Sequence, residues 1–169
     1  MKCYVDTDFA GLYNRDPDMS STSAKSRLGF IIHVDDVPLV WRSQLLSKIT
    51  LAVQEAEYSA LSQALRTLLP IRLLLIEVSN AIGLPNSLTS TIHARVFEDN
   101  NGALALATQQ RITRRTRHYL VEWHHFWEEV NLGHVSIEKV DTLLQAADYL
   151  TKGLAREAFE RIREINQGW

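Results

Sequence analysis

The stretch VFEDNNGALALA, residues 96–107, decides how the rest of the chain is interpreted. An apolar run from Ala94 to Phe97 is typical of a strand, and it ends in two acids, Glu98 and Asp99. Residues 100–102 (NNG) break the run, and the small apolar residues that follow predict a helix. Because open α/β sheets place their chemistry where a strand feeds a helix, these acids are expected to have distant partners in a site.

The pattern around this stretch predicts a mixed sheet with helices on its faces. A strand over 3–9 and a hairpin turning at Asp35 and Asp36 precede a long helix that starts near Val53, which Pro70 should kink or divide. Three further helical segments are expected, at about 114–132, at 143–154 and at 156–167. The order of elements predicts one α/β domain that spans residues 1–169.

Composition indicates a globular chain of an ordinary kind. Of 169 residues, 46% are hydrophobic and 22% are charged, and the single cysteine, Cys3, excludes a disulfide framework or a cysteine-based zinc site. The N-terminus has no continuous apolar stretch of the signal-peptide kind. The most apolar window, LLPIRLLLIEV (residues 68–78), is shorter than a bilayer span. The sequence therefore predicts an intracellular protein that is not secreted and has no membrane partner.

Charge is distributed unevenly along the chain. The overall balance is −2, yet the segment RITRRTRH (residues 111–118) carries four arginines and no acid, which leaves 14 Lys and Arg against 20 acids elsewhere. A local basic cluster on an otherwise acidic chain indicates contact with a polyanion beside acidic chemistry.

Four acidic positions are difficult to explain as surface residues. The first strand carries one at Asp6 or at Asp8, and the strand pattern does not choose between them because both point to the same side. Glu57 lies on the apolar stripe of the long helix, Asp99 ends the fourth strand, and Asp148 interrupts an apolar segment. Carboxylates that converge without cations repel each other, and hard divalent ions such as Mg²⁺ relieve that repulsion.

Five motifs together resemble the ribonuclease H domain of copia-type LTR retrotransposons, which closes the reverse-transcriptase polyprotein. They come in the order and at about the spacing of that family, and the resemblance covers essentially the whole chain. The motifs are YVDTDFAG (4–11), QEAEYSALSQA (54–64), FEDNNGALALA (97–107), RRTRHYLVEWHHFWEE (114–129) and VDTLLQAADYLTKGL (140–154).

The resemblance implies a ribonuclease H-like α/β fold, a mixed five-stranded sheet with strands 1–3 antiparallel and helices on both faces. It also implies an endonuclease that hydrolyses the RNA strand of an RNA/DNA hybrid with two Mg²⁺ ions, for which Mn²⁺ substitutes. It selects Asp6 over Asp8, so that the implied catalytic residues and metal ligands are Asp6, Glu57, Asp99 and Asp148. Glu98 is expected to face elsewhere.

Nucleic-acid binding is expected at the arginine-rich segment, where positive charge would grip duplex phosphates. The predicted contact residues are Arg111, Arg114, Arg115, Arg117, Asn100 and Lys48. The partners that the resemblance implies are an RNA/DNA hybrid and an adjoining reverse-transcriptase domain in a longer polyprotein. The implied location is the cytoplasm, in a virus-like particle, or the nucleus.

Two other functions remain open at this point. A binding module that kept the fold without the chemistry would be expected to lose the acids, and all four are present. An integrase or transposase typically uses three acids and would lack the helix motif around Glu57. Many cellular ribonucleases H place an assisting histidine before the last aspartate. Residues 139–148 contain none, which leaves His134, His118 or no residue for that role.

Overall fold

The computed structural model describes residues 1–13, 20–84, 92–108 and 124–168. Five strands form one sheet, and their bounds are β1 Lys2–Asp8, β2 Arg27–Val34, β3 Val37–Leu45, β4 Ala94–Glu98 and β5 Val135–Lys139. The described helices are α1 Val53–Ala81, α2 Asn101–Thr108, α3 His124–Asn131, α4 Asp148–Thr151 and α5 Arg156–Gln167. A 3-10 turn at Thr142–Leu144 lies between β5 and α4.

The strand order is β3-β2-β1-β4-β5, with antiparallel pairing in the first three strands and parallel pairing from β1 through β4 to β5. Such a sheet needs crossover connections between its parallel strands, and α1 supplies the long one between β3 and β4. The predicted mixed five-stranded sheet with three antiparallel strands first is confirmed.

The long helix is continuous through its proline. Helix α1 runs for 29 residues with Pro70 inside it, so of the two predicted outcomes, a kink or a division, the division does not occur. Pro70 is exposed, and the carbonyl that loses its intrahelical hydrogen bond is that of Arg66, also an exposed residue. Water can therefore satisfy that carbonyl, and packing of the apolar face maintains the helix on both sides of the proline.

The segment before Asp148 also differs from expectation. Instead of one helix over 143–154, the chain makes the 3-10 turn, extends at Gln145 and then forms the short helix α4. The amide of Gln145 donates to the carbonyl of Val5 at 2.8 Å, a contact across 140 residues that fixes the extended conformation. This break places Asp148 at the first position of α4.

The core lies between the sheet and α1, with Cys3, Val5, Phe30, Leu61 and Leu65 almost fully buried. In the described part of the chain, α1 is the one helix that is long and apolar enough to cross a membrane. By itself that is weak evidence for a membrane span, because the core helix of a soluble protein meets the same test. The sequence predicts no membrane span here, because the apolar window at residues 68–78 is too short.

Candidate metal centre

Two of the predicted acids meet because two parallel strands end side by side. In the pairing of β1 with β4, Tyr4 lies opposite Phe97, so two residues further along each strand bring Asp6 next to Asp99. Asp6 is the last-but-two residue of β1 and is only 3% exposed, whereas Asp99 directly follows β4 and is half-buried. The Thr142 hydroxyl donates to Asp99 Oδ2 at 2.9 Å.

Asp148 reaches the same place from the short helix α4. Carboxylate oxygens of Asp6, Asp99 and Asp148 all lie within 4.8 Å of one another. The Thr151 hydroxyl, one turn along α4, donates to the Asp6 carboxylate and also lies 3.0 Å from the carbonyl oxygen of Asp148. The acids of β1 and α4 are therefore held together by a side chain as well as by the fold.

The segment that carries Asp148 is anchored from two sides. Gln145 is fully buried and bonds to β1, while the Asn166 amide of α5 donates to the Ala146 carbonyl at 3.0 Å. Helix α4 also approaches β2 closely at Gly29, where an added Cβ would lie 2.7 Å from a methyl carbon of Thr151. These contacts fix Asp148 relative to the sheet.

Glu57 lies beside this cluster on α1 rather than within it. Its side chain is buried. Burial is the main cause that raises the pKa of Glu57 to about 8, and the charge of the neighbouring Asp6 raises it further. Glu98 points to the α1 side of the sheet, as strand alternation requires, but it is fully buried there and the charge of Glu57 acts on it. Burial raises the pKa of Glu98 well above its ordinary value.

Burial makes this group of acids electrostatically unfavourable in its ionised form. Removal from water raises the pKa of Asp6 to about 7, against smaller opposing effects of the Thr151 hydrogen bond and the Lys152 ammonium. Burial likewise raises the pKa of Asp148, which Lys152 partly offsets from 2.9 Å. Lys152 Nζ also lies 3.8 Å from Asp6, so one ammonium serves two of the clustered carboxylates.

The donor set fits a divalent metal ion of the hard class. Three carboxylates offer oxygen ligands within reach of one centre, with no sulfur or imidazole among them. The negative charge of the group exceeds what the single ammonium of Lys152 compensates, which is the condition that a divalent cation relieves. Asp6, Asp99 and Asp148 are thus the residues that would hold it, with Glu57 adjacent.

Of the residues predicted to contact nucleic acid, those that the structure describes do not belong to the acidic cluster. Arg111, Arg114, Arg115 and Arg117 lie outside the described residues. The Asn100 side chain accepts hydrogen bonds from the backbone of Gly102 and Ala103, so its oxygen caps α2. Such a cap is a structural role that the sequence reading did not assign to it.

Lys48 is exposed and pairs at 3.4 Å with Glu55, which lies in the first turn of α1. His134 comes just before β5, at the opposite end of the strand from the acids, and its ring bonds to Glu129. His118 lies outside the described residues.

Sequence reasoning missed several residues of the site. It set Glu98 aside and named none of the groups that support Asp148, namely Gln145, Thr151, Lys152 and Gly29. The available signals were a polar Gln145 within an apolar run and the lysine four residues after Asp148. Neither pattern reveals the contact that the residue makes. Gln145 bonds to Val5 and Lys152 approaches Asp6, and both of these β1 residues are more than a hundred positions away.

Three relatives found by comparison with known proteins are polyproteins of plant transposons. The chain is 27% identical over 169 residues to the Retrovirus-related Pol polyprotein from transposon TNT 1-94 of Nicotiana tabacum, a match that covers 98% of this chain and 11% of that protein. It is 28% identical over 160 residues to the corresponding polyproteins from transposons RE1 and RE2 of Arabidopsis thaliana, covering 95% of this chain and 10% of each. The chain thus spans about a tenth of the length of the curated relatives it matches. No protein-family model matches the chain.

Among solved structures, the chain is similar to the N-terminal RNase H domain of a Mycobacterium tuberculosis protein, determined as a fusion with maltose-binding protein. The TM-score is 0.52 at 13% sequence identity, with 96% of this chain and 95% of the other covered, so the likeness concerns the fold. Together, relatives and fold confirm the resemblance predicted from the five motifs: the chain is a homologue of copia-type retrotransposon Pol polyproteins and has a ribonuclease H-like fold.

Proposed function

We propose that the chain is a divalent-metal-dependent ribonuclease H that hydrolyses the RNA strand of RNA/DNA hybrids during retrotransposon reverse transcription. The observation that carries this proposal is the approach of Asp6, Asp99 and Asp148 to within 4.8 Å of one another at the carboxyl ends of two parallel strands. The ribonuclease H-like fold and the Pol polyprotein relatives support the same assignment.

In this proposal Asp6 is the central ligand, because it faces Asp99 from the neighbouring strand and Asp148 from α4. Two Mg²⁺ ions, or Mn²⁺ in their place, would supply an activated water and stabilise charge on the departing 3′-oxygen. The chain's own residues hold the carboxylates in position: Thr151 bonds to Asp6, and Thr142 bonds to Asp99. Glu57 would complete the ligand set beside Asp6.

The polyprotein relatives also support an adjoining reverse-transcriptase domain as a partner, since the chain spans about a tenth of their length. The enzyme would then act in the cytoplasm within a virus-like particle, or in the nucleus. Hybrid would be selected by backbone shape and 2′-hydroxyl contacts, so little sequence preference is expected.

The test is cleavage of an end-labelled RNA/DNA hybrid with and without Mg²⁺ by the wild-type chain, by Asp99→Asn and by Asp36→Asn. Asp36 is an exposed acid that pairs with Lys2 at the other end of β1, so its substitution makes the same chemical change away from the cluster. We expect metal-dependent cutting of the RNA strand by the wild type and by Asp36→Asn, and none by Asp99→Asn. Retained hybrid binding without cutting in Mg²⁺ or Mn²⁺ would contradict the enzyme and favour an inert binding module, and cutting of double-stranded DNA instead would favour an integrase.

A further inference from the structure

A polar cleft separates β3 from α1 on the side of the helix away from the acids. Its volume is about 480 Å³, which is in the range of ligand pockets. The cleft residues from α1 are Ser59, Ser62, Gln63, Arg66 and Thr67. With 3.6 residues per turn, Ser59 and Arg66 are rotated by about half a turn from Glu57, so the cleft and the acids lie on opposite faces of a helix about 10 Å wide.

The charge of the cleft has one sign. Arg42 from β3, Lys48 from the following loop and Arg66 from α1 line it, and no Asp or Glu is among the lining residues in the described part of the chain. Lys48 is paired with Glu55 outside the cleft, so the uncompensated charge comes from the two arginines. Arg42 and Arg66 are exposed and make no ion pair with any described residue. Two free guanidinium groups on facing walls form an arrangement suited to the oxygens of a phosphate.

Neutral polar side chains join the two walls of the cleft. The Gln44 amide of β3 donates to the Gln63 side chain of α1 at 2.7 Å, which joins the two walls. Ser59 is only 4% exposed, and its hydroxyl has no hydrogen-bond partner among the described residues.

From these observations we infer that the cleft between β3 and α1 binds a backbone phosphate of nucleic acid, at a site separate from the metal centre. Arg42 and Arg66 supply the charge from opposite walls. This inference rests on the proposed function in one respect, since the hybrid engaged at the metal centre is the nucleic acid that the cleft would hold. The ligand class follows from the pair of unpaired arginines in the cleft and from a lining that holds no Asp or Glu among the described residues.

The test measures binding of a fluorescein-labelled RNA/DNA hybrid by anisotropy, over a range of salt concentrations and in EDTA so that the hybrid stays intact. The variants are Arg42→Gln, Arg66→Gln and the double substitution. The matched control is Arg156→Gln, which removes one positive charge from the exposed surface of α5. All three arginines are exposed, so the folded structure is expected to tolerate each change.

We expect each cleft variant to reduce the slope of log K against log salt by about 0.9, and the double variant to bind about tenfold more weakly at 0.1 M salt, with Arg156→Gln unchanged. Equal slopes for wild type and double variant would overturn the inference. Protection of the wild type against heat by inorganic phosphate, with hybrid binding unaffected by the substitutions, would also overturn it in favour of a free-anion site. If the wild type never cuts hybrid but the cleft variants lose binding as expected, the proposed enzyme function fails and the cleft assignment stands.

Discussion

The ammonium of Lys152 lies 2.9 Å from Asp148 Oδ1, one helical turn along the chain from it. The same ammonium is 3.8 Å from Asp6, and the charges of both acids raise the pKa of Lys152 while its partial burial opposes them. The lysine therefore neutralises part of the negative charge of the carboxylates that we propose as metal ligands. In this position it competes with a metal ion for the oxygens of Asp6 and Asp148.

Replacement of this lysine by a neutral side chain should strengthen metal binding. In Lys152→Met the acids lose their only close cation among the described residues, and we expect Mg²⁺ affinity to rise about fivefold, since the partly exposed ion pair is worth about 1 kcal/mol. Titration calorimetry with Mg²⁺ measures this directly. Lys2→Met is the matched control, because Lys2 also pairs with an aspartate but at the far end of β1. Weaker Mg²⁺ binding by Lys152→Met would show that the lysine supports the centre.

The close approach of α4 to β2 predicts a sensitive glycine. A Cβ at Gly29 would lie 2.7 Å from Thr151 Cγ2 and 2.8 Å from Leu150 Cβ, so Gly29→Ala must push α4 away from the sheet. We expect a loss of about 1–3 kcal/mol in the free energy of unfolding and a weaker affinity for Mg²⁺, because Asp148 moves with α4. Urea unfolding and calorimetry measure the two effects.

Gly153→Ala serves as its control, since a Cβ there meets no atom within 4 Å. An equal loss of stability in both variants would mean that the effect comes from the glycine itself and not from the packing of α4.

The strands and their acids could be predicted because each depends on local pattern. Alternation identified β1 and an apolar run identified β4. Pattern alone also marked Glu57 and Asp99, whereas the choice of Asp6 over Asp8 needed the family resemblance. The parallel register of β1 with β4 brings Asp6 next to Asp99, and the spacing of the strands along the sequence does not reveal that register.

The prediction of a helix over 143–154 was wrong for a related reason. Apolar periodicity favoured a helix, but the hydrogen bond from Gln145 to Val5 holds that residue extended. Alternation correctly gave the side to which Glu98 points, but it says nothing of what lies on that side, which here is Glu57. Local pattern thus identified the chemistry, whereas long-range contacts determined its geometry.

A buried acid that serves a metal ion should destabilise the metal-free chain. The folded pKa of Glu57, about 8, exceeds its ordinary value of 4.5, so the stability linked to its proton is fully present below about pH 4.5 and is lost as the pH rises through 8. At pH 8.5 in EDTA we expect Glu57→Gln to be more stable than wild type by about 2 kcal/mol, or about 4–8 °C in Tm.

Thermal unfolding between pH 5 and 8.5 measures this difference, with Glu164→Gln on the exposed face of α5 as the control. A Tm difference between Glu57→Gln and wild type that does not widen with pH would contradict the raised pKa of Glu57.

Metal binding should itself depend on pH for the same reason. Because burial raises the pKa of Asp6 to about 7 and that of Glu57 to about 8, both carboxyls hold protons at pH 6 that a metal ion must displace. We expect Mg²⁺ affinity to rise between pH 6 and pH 8, with up to two protons released per binding event at the acidic end. Calorimetry in two buffers of different ionisation enthalpy counts those protons. Glu57→Gln should release about one fewer, and an affinity that stays constant from pH 6 to pH 8 in the wild type would show that the metal binds elsewhere.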